Sequence, residues 1–230
     1  DLDRAQTIFL KEFGPEDVDV GLTYYNLGIV HKDLSDLDEA KKYFELALPI
    51  LQKKLGPEYY YVGATHMKLG NVLRDLYKLD QAKENYDRAL TIFLKAFGPE
   101  FGYVGETYYN LGIVHKDLSD LDQAKKYFEL ALPILQKDLS PECYLVGKTH
   151  MKLGNVLRDL GELNQAKESH HLALTILLKA GGPEHVDVGI TYRNLGIVHK
   201  HLQDLDEAKK YFELRSEEHT SELQSRPHIS

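Results

Sequence analysis

GPEDVDVGLTYYNLGIVHKDLSDLDEAKKYFELALPILQKKL, residues 14–55, returns at residues 98–139 as GPEFGYVGETYYNLGIVHKDLSDLDQAKKYFELALPILQKDL, with 36 of 42 positions identical. A second version fills residues 56–97 and returns at 140–181, sharing 29 of 42 positions, whereas units one and two share 19. The triplet that opens each unit starts at Gly14, Gly56, Gly98, Ser140 and Gly182, always 42 residues on, without insertion or deletion. Self-similarity at a fixed period of this length marks a repeat architecture. Because the two versions alternate, an 84-residue pair is the more recent unit of duplication.

Each unit reads as two helices. In unit one the apolar residues recur at helical spacing over about Val18–Leu34 and again over about Leu37–Lys54. Asp36, with Glu39 three residues on, forms a capping-box pattern at the start of the second helix. The Gly-Pro that follows ends it, because glycine accepts a left-handed backbone and proline cannot continue the ladder. Gly28 and its equivalents lack a side chain where two helices must approach closely, and Ala40 and Ala47 are small on the facing helix. Such a pair cannot bury its apolar face alone, so neighbouring units must stack. Pro49 and Pro133 fall inside second helices, where Thr91 and Thr175 stand in the other units, and a bend is expected there.

Composition narrows the function. The chain has 230 residues, 43% hydrophobic and 28% charged, with a net charge of −8 that argues against nucleic-acid binding. No apolar run approaches the roughly 20 residues of a membrane helix. The single cysteine, Cys143, forms no internal disulfide, which fits a reducing, cytoplasmic setting. No residues assemble a nucleophile, a base and an electrostatic partner, so no enzyme activity and no cofactor is expected within these residues.

Tyr24, Leu27, Gly28 and His31 in the first helix, with Ala40, Phe44 and Ala47 in the second, resemble the tetratricopeptide repeat. The pattern recurs at Tyr108, Leu111, Gly112, His115, Ala124, Phe128 and Ala131. The 42-residue spacing resembles the longer variant found in kinesin light chains and nephrocystin-type proteins. His66, His150, Leu73, Leu157 and His170 depart from the family's pattern. The resemblance implies an all-α fold: a right-handed superhelical solenoid of antiparallel helix pairs whose groove holds peptides or partner helices. It divides the chain into repeats at 14–55, 56–97, 98–139, 140–181 and a truncated 182–214. Residues 1–13 match Asp87–Phe97 and read as the tail of a severed second helix. After Leu214 periodicity stops at Arg215, and residues 215–230 read as a non-native tail, the translation of a sequencing adapter.

In that family first-helix residues line the groove. Here the implied groove carries a cation in every unit: Lys32, Arg74, Lys116, Arg158 and Lys200. A nearby row alternates Asn26, Lys68, Asn110, Lys152 and Asn194. Asn71 and Asn155 stand where Ile29, Ile113 and Ile197 occupy the other units, while Tyr25, Tyr109, Met67 and Met151 add aromatic and adaptable apolar surface. This set fits an extended acidic peptide, with amides holding its backbone and cations meeting its carboxylates. Asp33, Asp75, Asp117 and Asp159 follow the cations directly, so a merely solvated charged face is the competing reading. Two other functions stay open: a passive spacer in a larger adaptor, and a regulatory region of an enzyme whose catalytic domain lies elsewhere.

The eleven histidines do not read as a metal site. His31, His115 and His199 lie 84 residues apart, and the adjacent His170 and His171 point in different directions on a helix. Tyr59, Tyr60 and Tyr61 cluster at what reads as a linker.

Overall fold

The computed structural model describes Gly14 and residues 16–214. Among them are nine complete helices and a further helical stretch at 205–214, with no strand. The first-helix series is α1 (Val18–Asp33), α3 (Tyr60–Asp75), α5 (Gly102–Asp117), α7 (Tyr144–Asp159) and α9 (Val186–His201). The second-helix series is α2 (Leu37–Leu55), α4 (Leu79–Phe97), α6 (Leu121–Leu139) and α8 (Leu163–Gly181). The chain forms two compact units, Asp1–Leu118 and Ser119–Ser230. Unit 1 contains α1–α5, and unit 2 contains α6–α9 and the stretch at 205–214.

Within each unit, three-residue connections fold a first helix back on its second helix, α1 on α2 and α3 on α4 in unit 1, α7 on α8 in unit 2. Leu34, Ser35 and Asp36 close such a turn: Ser35 N–H donates to the Lys32 carbonyl and Asp36 N–H to the His31 carbonyl. This is a Schellman ending, and it puts Ser35 at φ +63°. Tyr77, Ser119 and Gln203 take the same left-handed conformation, and only Gly161 meets it with glycine. The second helices end as expected, with Gly56, Gly98 and Gly182 at φ between +77° and +93°. Ser140 holds the same place at φ +103°.

Glycine sets how closely paired helices approach. A Cβ on Gly28 would stand 2.7 Å from the Phe44 ring, and one on Gly70 would stand 2.7 Å from the Tyr86 ring. In unit 2 Gly154 faces the His170 ring at the same 2.7 Å. Phe44, Tyr86 and His170 are fully buried, as are Ala40, Ala47, Ala82 and Ala89. Their counterpart Phe212 is 38% exposed. In unit 1 the core runs through Ala47, Leu51 and Val62, with Leu22, Tyr25 and Tyr61 packed against it. In unit 2 it runs through Met151, Ala173, Leu177 and Val188.

Two local expectations change, at Asp36 and at the tyrosine cluster. Asp36 stands at the N-cap of α2, but its side chain makes no capping bond; its Oδ2 lies 3.2 Å from His31 Nδ1 instead. Asp120, the equivalent in α6, does accept from Gln123 N–H at 3.4 Å. At Pro49 and Pro133 the helices continue: α2 and α6 have 19 residues each, like α4 and α8. Pro49 and Glu45, whose carbonyl loses its donor, are both exposed, so the freed oxygen is on the solvent side of the helix pair. In the other version the threonine hydroxyl serves that carbonyl, Thr91 donating to Asp87 and Thr175 to His171. Finally, Tyr60 and Tyr61 belong to the first turn of α3 rather than to a linker. The severed helix at 1–13 and the tail at 215–230 lie outside the described residues.

Candidate peptide-binding groove

The first helices adjoin one another within each unit, α1 with α3 and α3 with α5 in unit 1, α7 with α9 in unit 2. Their shared face carries the predicted cations, and the structure shows what each one meets. Lys32 Nζ lies 3.7 Å from Asp75 Oδ2, and Arg74 Nη2 lies 3.1 Å from Asp75 Oδ1. Arg74 Nη1 also donates to Asn110 Oδ1 at 3.0 Å. Burial alone would lower the Arg74 pKa, but Tyr86, Asp75 and Tyr109 outweigh it and hold the guanidinium above its ordinary value. Lys116 is half-buried on α5. In unit 2, Arg158 closes on its own neighbour, with Nη2 at 2.7 Å and Nε at 3.0 Å from Asp159 Oδ1. Lys200 is exposed, at the edge of a shallow cavity with Leu205, Ala208 and Phe212.

The amides divide by repeat. Asn26 is exposed, whereas Asn110 and Asn194 are buried, the latter to 2% exposure. Asn71 Oδ1 accepts from Tyr86 Oη at 2.7 Å. Its counterpart Asn155 faces His170 in place of that tyrosine, and Asn155 Oδ1 has no partner. Neither His170 nitrogen has one, nor does Asn194 Nδ2. Burial, helped by Arg158 and His171, pushes the His170 pKa down to about 3, so the ring is neutral.

Tyr25 is half-buried and Tyr109 buried. Met67 and Met151 belong to the core rather than to the adaptable surface expected of them: Met67 is fully buried and Met151 nearly so. Thr107 Oγ1 approaches Met67 Sδ at 3.7 Å.

Tyr103 and Glu106 were not singled out from the sequence, and Tyr61 was read only as part of a linker. Tyr61 and Tyr103 stand one turn before Ala64 and Glu106 on the same face, and that register was the available signal. Tyr61 meets Tyr25 edge-on at 5.7 Å, and Tyr60 meets Tyr103 edge-on at 5.4 Å. Burial first, then Tyr103, Tyr61 and Glu106, push the Tyr25 hydroxyl up to about 12. Burial raises the Glu106 carboxyl, and Lys68 opposes it. Among the described residues no group of three or more metal-ligating side chains occurs, and no helix is long and apolar enough to cross a membrane.

The tetratricopeptide repeat family model matches residues 1–53, 61–137 and 145–216. No curated protein matches the chain. Among solved structures, BtubC (BKLC) from P. vanneervenii is similar with a TM-score of 0.81 and 20% identity, over 100% of this chain and 91% of that one. The nearly identical repeats of a putative kinesin light chain from Podosopora anserina are similar with a TM-score of 0.74 and 17% identity, over 88% and 96%. MamA is similar with a TM-score of 0.64 and 20% identity, over 91% and 97%. At these identities the likeness shows the fold, a helical repeat solenoid. The recurring 42-residue helix pair, its glycine-to-ring contacts and the match along most of its length place the chain in the tetratricopeptide repeat family.

Proposed function

We propose that the first-helix face of unit 1 binds an extended acidic peptide of a partner protein. A tetratricopeptide repeat scaffold is typical of protein–protein interaction; the acidic character of the ligand is the finer step. One observation supports it most: Lys32 and Arg74 converge on a single carboxylate, Asp75. Among the described residues Asp33 makes no ion pair, so Lys32 and Arg74 both turn to Asp75. Asn110 pins the Arg74 guanidinium from its other side, which fixes a donor before a ligand arrives. The reading is of a scaffold without catalytic chemistry, with no cofactor.

Charge reversal at Arg74 and Lys116 together (Arg74→Glu, Lys116→Glu) should abolish binding of an acidic peptide measured by calorimetry. Affinity should also fall as salt rises, because exposed charges are screened. Unchanged affinity in the double variant would remove the groove assignment. A second reading, a passive spacer, draws on unit 2, where Arg158 is closed on Asp159 and offers little to a ligand. A screen of acidic peptides that finds no ligand would favour the spacer.

A further inference from the structure

Between α2, α3 and α4 of unit 1 lies an open cavity of about 500 Å³, whose walls include Gln52, His66, Glu84, Asp87, Arg88 and Ile92. That volume falls within the range of small-ligand sites, about 300–1,000 Å³. None of the first-helix cations lines it. His66 is 3% exposed, and its Nδ1 lies 2.9 Å from Asn85 Oδ1. The Asn85 amide nitrogen donates to the Gln81 carbonyl at 2.9 Å, so Oδ1 is the acceptor and His66 Nδ1 carries the proton. The lone pair therefore sits on Nε2, and among the described residues nothing donates to it. Asn85 stands outside the wall, so the cavity meets the ring on its Nε2 side. Burial lowers the His66 pKa, against the weaker effect of Asn85, and keeps the ring neutral.

The two acids of the wall also keep unused capacity. Arg88 Nη2 donates to Glu84 Oε1 at 2.6 Å, and Lys83 Nζ to Asp87 Oδ2 at 2.9 Å. Each contact uses one oxygen, so Glu84 Oε2 and Asp87 Oδ1 accept nothing among the described residues. Glu84 and Asp87 are three residues apart on α4, which puts both carboxylates on one face. With Gln52 on α2, the cavity offers two carboxylate oxygens, an amide oxygen and an imidazole nitrogen. Its one cation, Arg88, is already bound to Glu84, so an entering anion would meet two acids and no unpaired cation. A guanidinium is planar with five N–H donors and answers several acceptors at once, whereas an ammonium has three donors on one point charge.

Unit 2 keeps the frame of this site and loses its chemistry. Gln136, His150, Glu168 and Ile176 are the 84-residue counterparts of Gln52, His66, Glu84 and Ile92. His171 replaces Asp87, Leu172 replaces Arg88 and Ser169 replaces Asn85. One carboxylate is gone, and without the asparagine His150 Nδ1 has no partner to fix its proton. We infer that the cavity between α2, α3 and α4 of unit 1 binds an arginine side chain of a partner protein, and that its unit 2 counterpart does not. The site stands apart from the first-helix face and prefers the opposite charge, so it holds or fails independently of the acidic-peptide reading.

The full chain is titrated with N-acetyl-arginine amide, and separately with its citrulline and lysine analogues, while the Ile92 methyl and His66 ring resonances are followed by NMR. The arginine probe should shift both, and the uncharged citrulline probe should leave them in place. The lysine probe should bind about threefold more weakly than arginine. Ile176 and His150 of unit 2 should not move with any probe. Glu84→Gln combined with Asp87→Asn should weaken the arginine probe about tenfold. Neither carboxylate is buried, so the melting temperature should hold. If the double variant does not fold, Asp87→His, which installs the residue unit 2 carries there, should weaken binding in its place. Equal shifts from arginine and citrulline, equal affinity for arginine and lysine, matching shifts in unit 2, no shift from any probe, or undiminished binding by the variant would each overturn the inference.

Discussion

Tyr86 in unit 1 and His170 in unit 2 occupy the same place, each pressed against a glycine at 2.7 Å and each fully buried. They differ in what their polar atoms find. The Tyr86 hydroxyl reaches Asn71 across the helix pair at 2.7 Å. His170 reaches nothing, and Asn155 Oδ1 is left without a donor. The backbone of a repeat thus survives an exchange that its hydrogen bonding does not. Shape, set by the glycine and a flat ring, is tolerant; pairing of the buried polar atoms is specific to one version of the repeat. Burial raises the Tyr86 hydroxyl and lowers the His170 imidazole, so both stay neutral near pH 7.

Four substitutions and one change of conditions probe this difference. The largest effect is expected from Gly70→Ala, whose Cβ would meet a ring tied down by Asn71; chemical denaturation should show a loss of about 3 kcal/mol. Gly154→Ala should cost less, about 2 kcal/mol, because the His170 ring has no bond to break as it shifts. Equal penalties would mean that the Tyr86 bond does not hold its ring.

Acid comes next. The folded His170 pKa is about 3 against an ordinary 6.5, so below pH 6.5 the unfolded state binds a proton that the folded state refuses. Stability present above pH 6.5 is lost as pH falls toward 3, at about 1.4 kcal/mol per unit. Between pH 6.5 and 4.5 this amounts to about 2.5 kcal/mol, confined to unit 2. Burial lowers His66 in unit 1 and His150 in unit 2, which offset each other, and also His171 in unit 2, which adds to the difference. Native-state hydrogen exchange should show the α7 and α8 amides losing protection faster than those of α3 and α4. His170→Tyr should remove most of that difference. At neutral pH the same variant should gain about 1.5 kcal/mol by restoring the bond to the asparagine.

The smallest effect concerns the backbone. Ser140 holds φ +103° where the four other repeats have glycine, a region strained for a residue with a Cβ. Ser140→Gly should raise stability by about 1 kcal/mol in thermal melts, even though it loses the bond from Glu142 N–H to the serine hydroxyl.

The repeat, both helices of each unit and the role of Gly28 were legible because period and residue size determine them. What stayed hidden depends on contacts between elements. Helical spacing puts Met67 on an apolar stripe but does not say that the next helix covers it. Asp36 has the right offset for a cap, yet its carboxylate meets His31 across the turn and makes no capping bond. The left-handed Ser35, Tyr77, Ser119 and Gln203 carry no glycine to announce the Schellman ending. At the groove, the cation positions were readable and their sharing of Asp75 was not, since that pair joins residues of different repeats. Tyr103 and Glu106 went unnoticed because the residues at their positions vary from unit to unit, so the repeat does not mark them.

The central claim, that the first-helix face of unit 1 takes the ligand, is tested most directly by mapping amide shifts on adding an acidic peptide. The account predicts shifts around Lys32, Arg74, Asn110 and Lys116, with α2 and α4 unmoved. Shifts centred instead on Arg88 and Thr91 of α4, or spread evenly over both helix series, would contradict it.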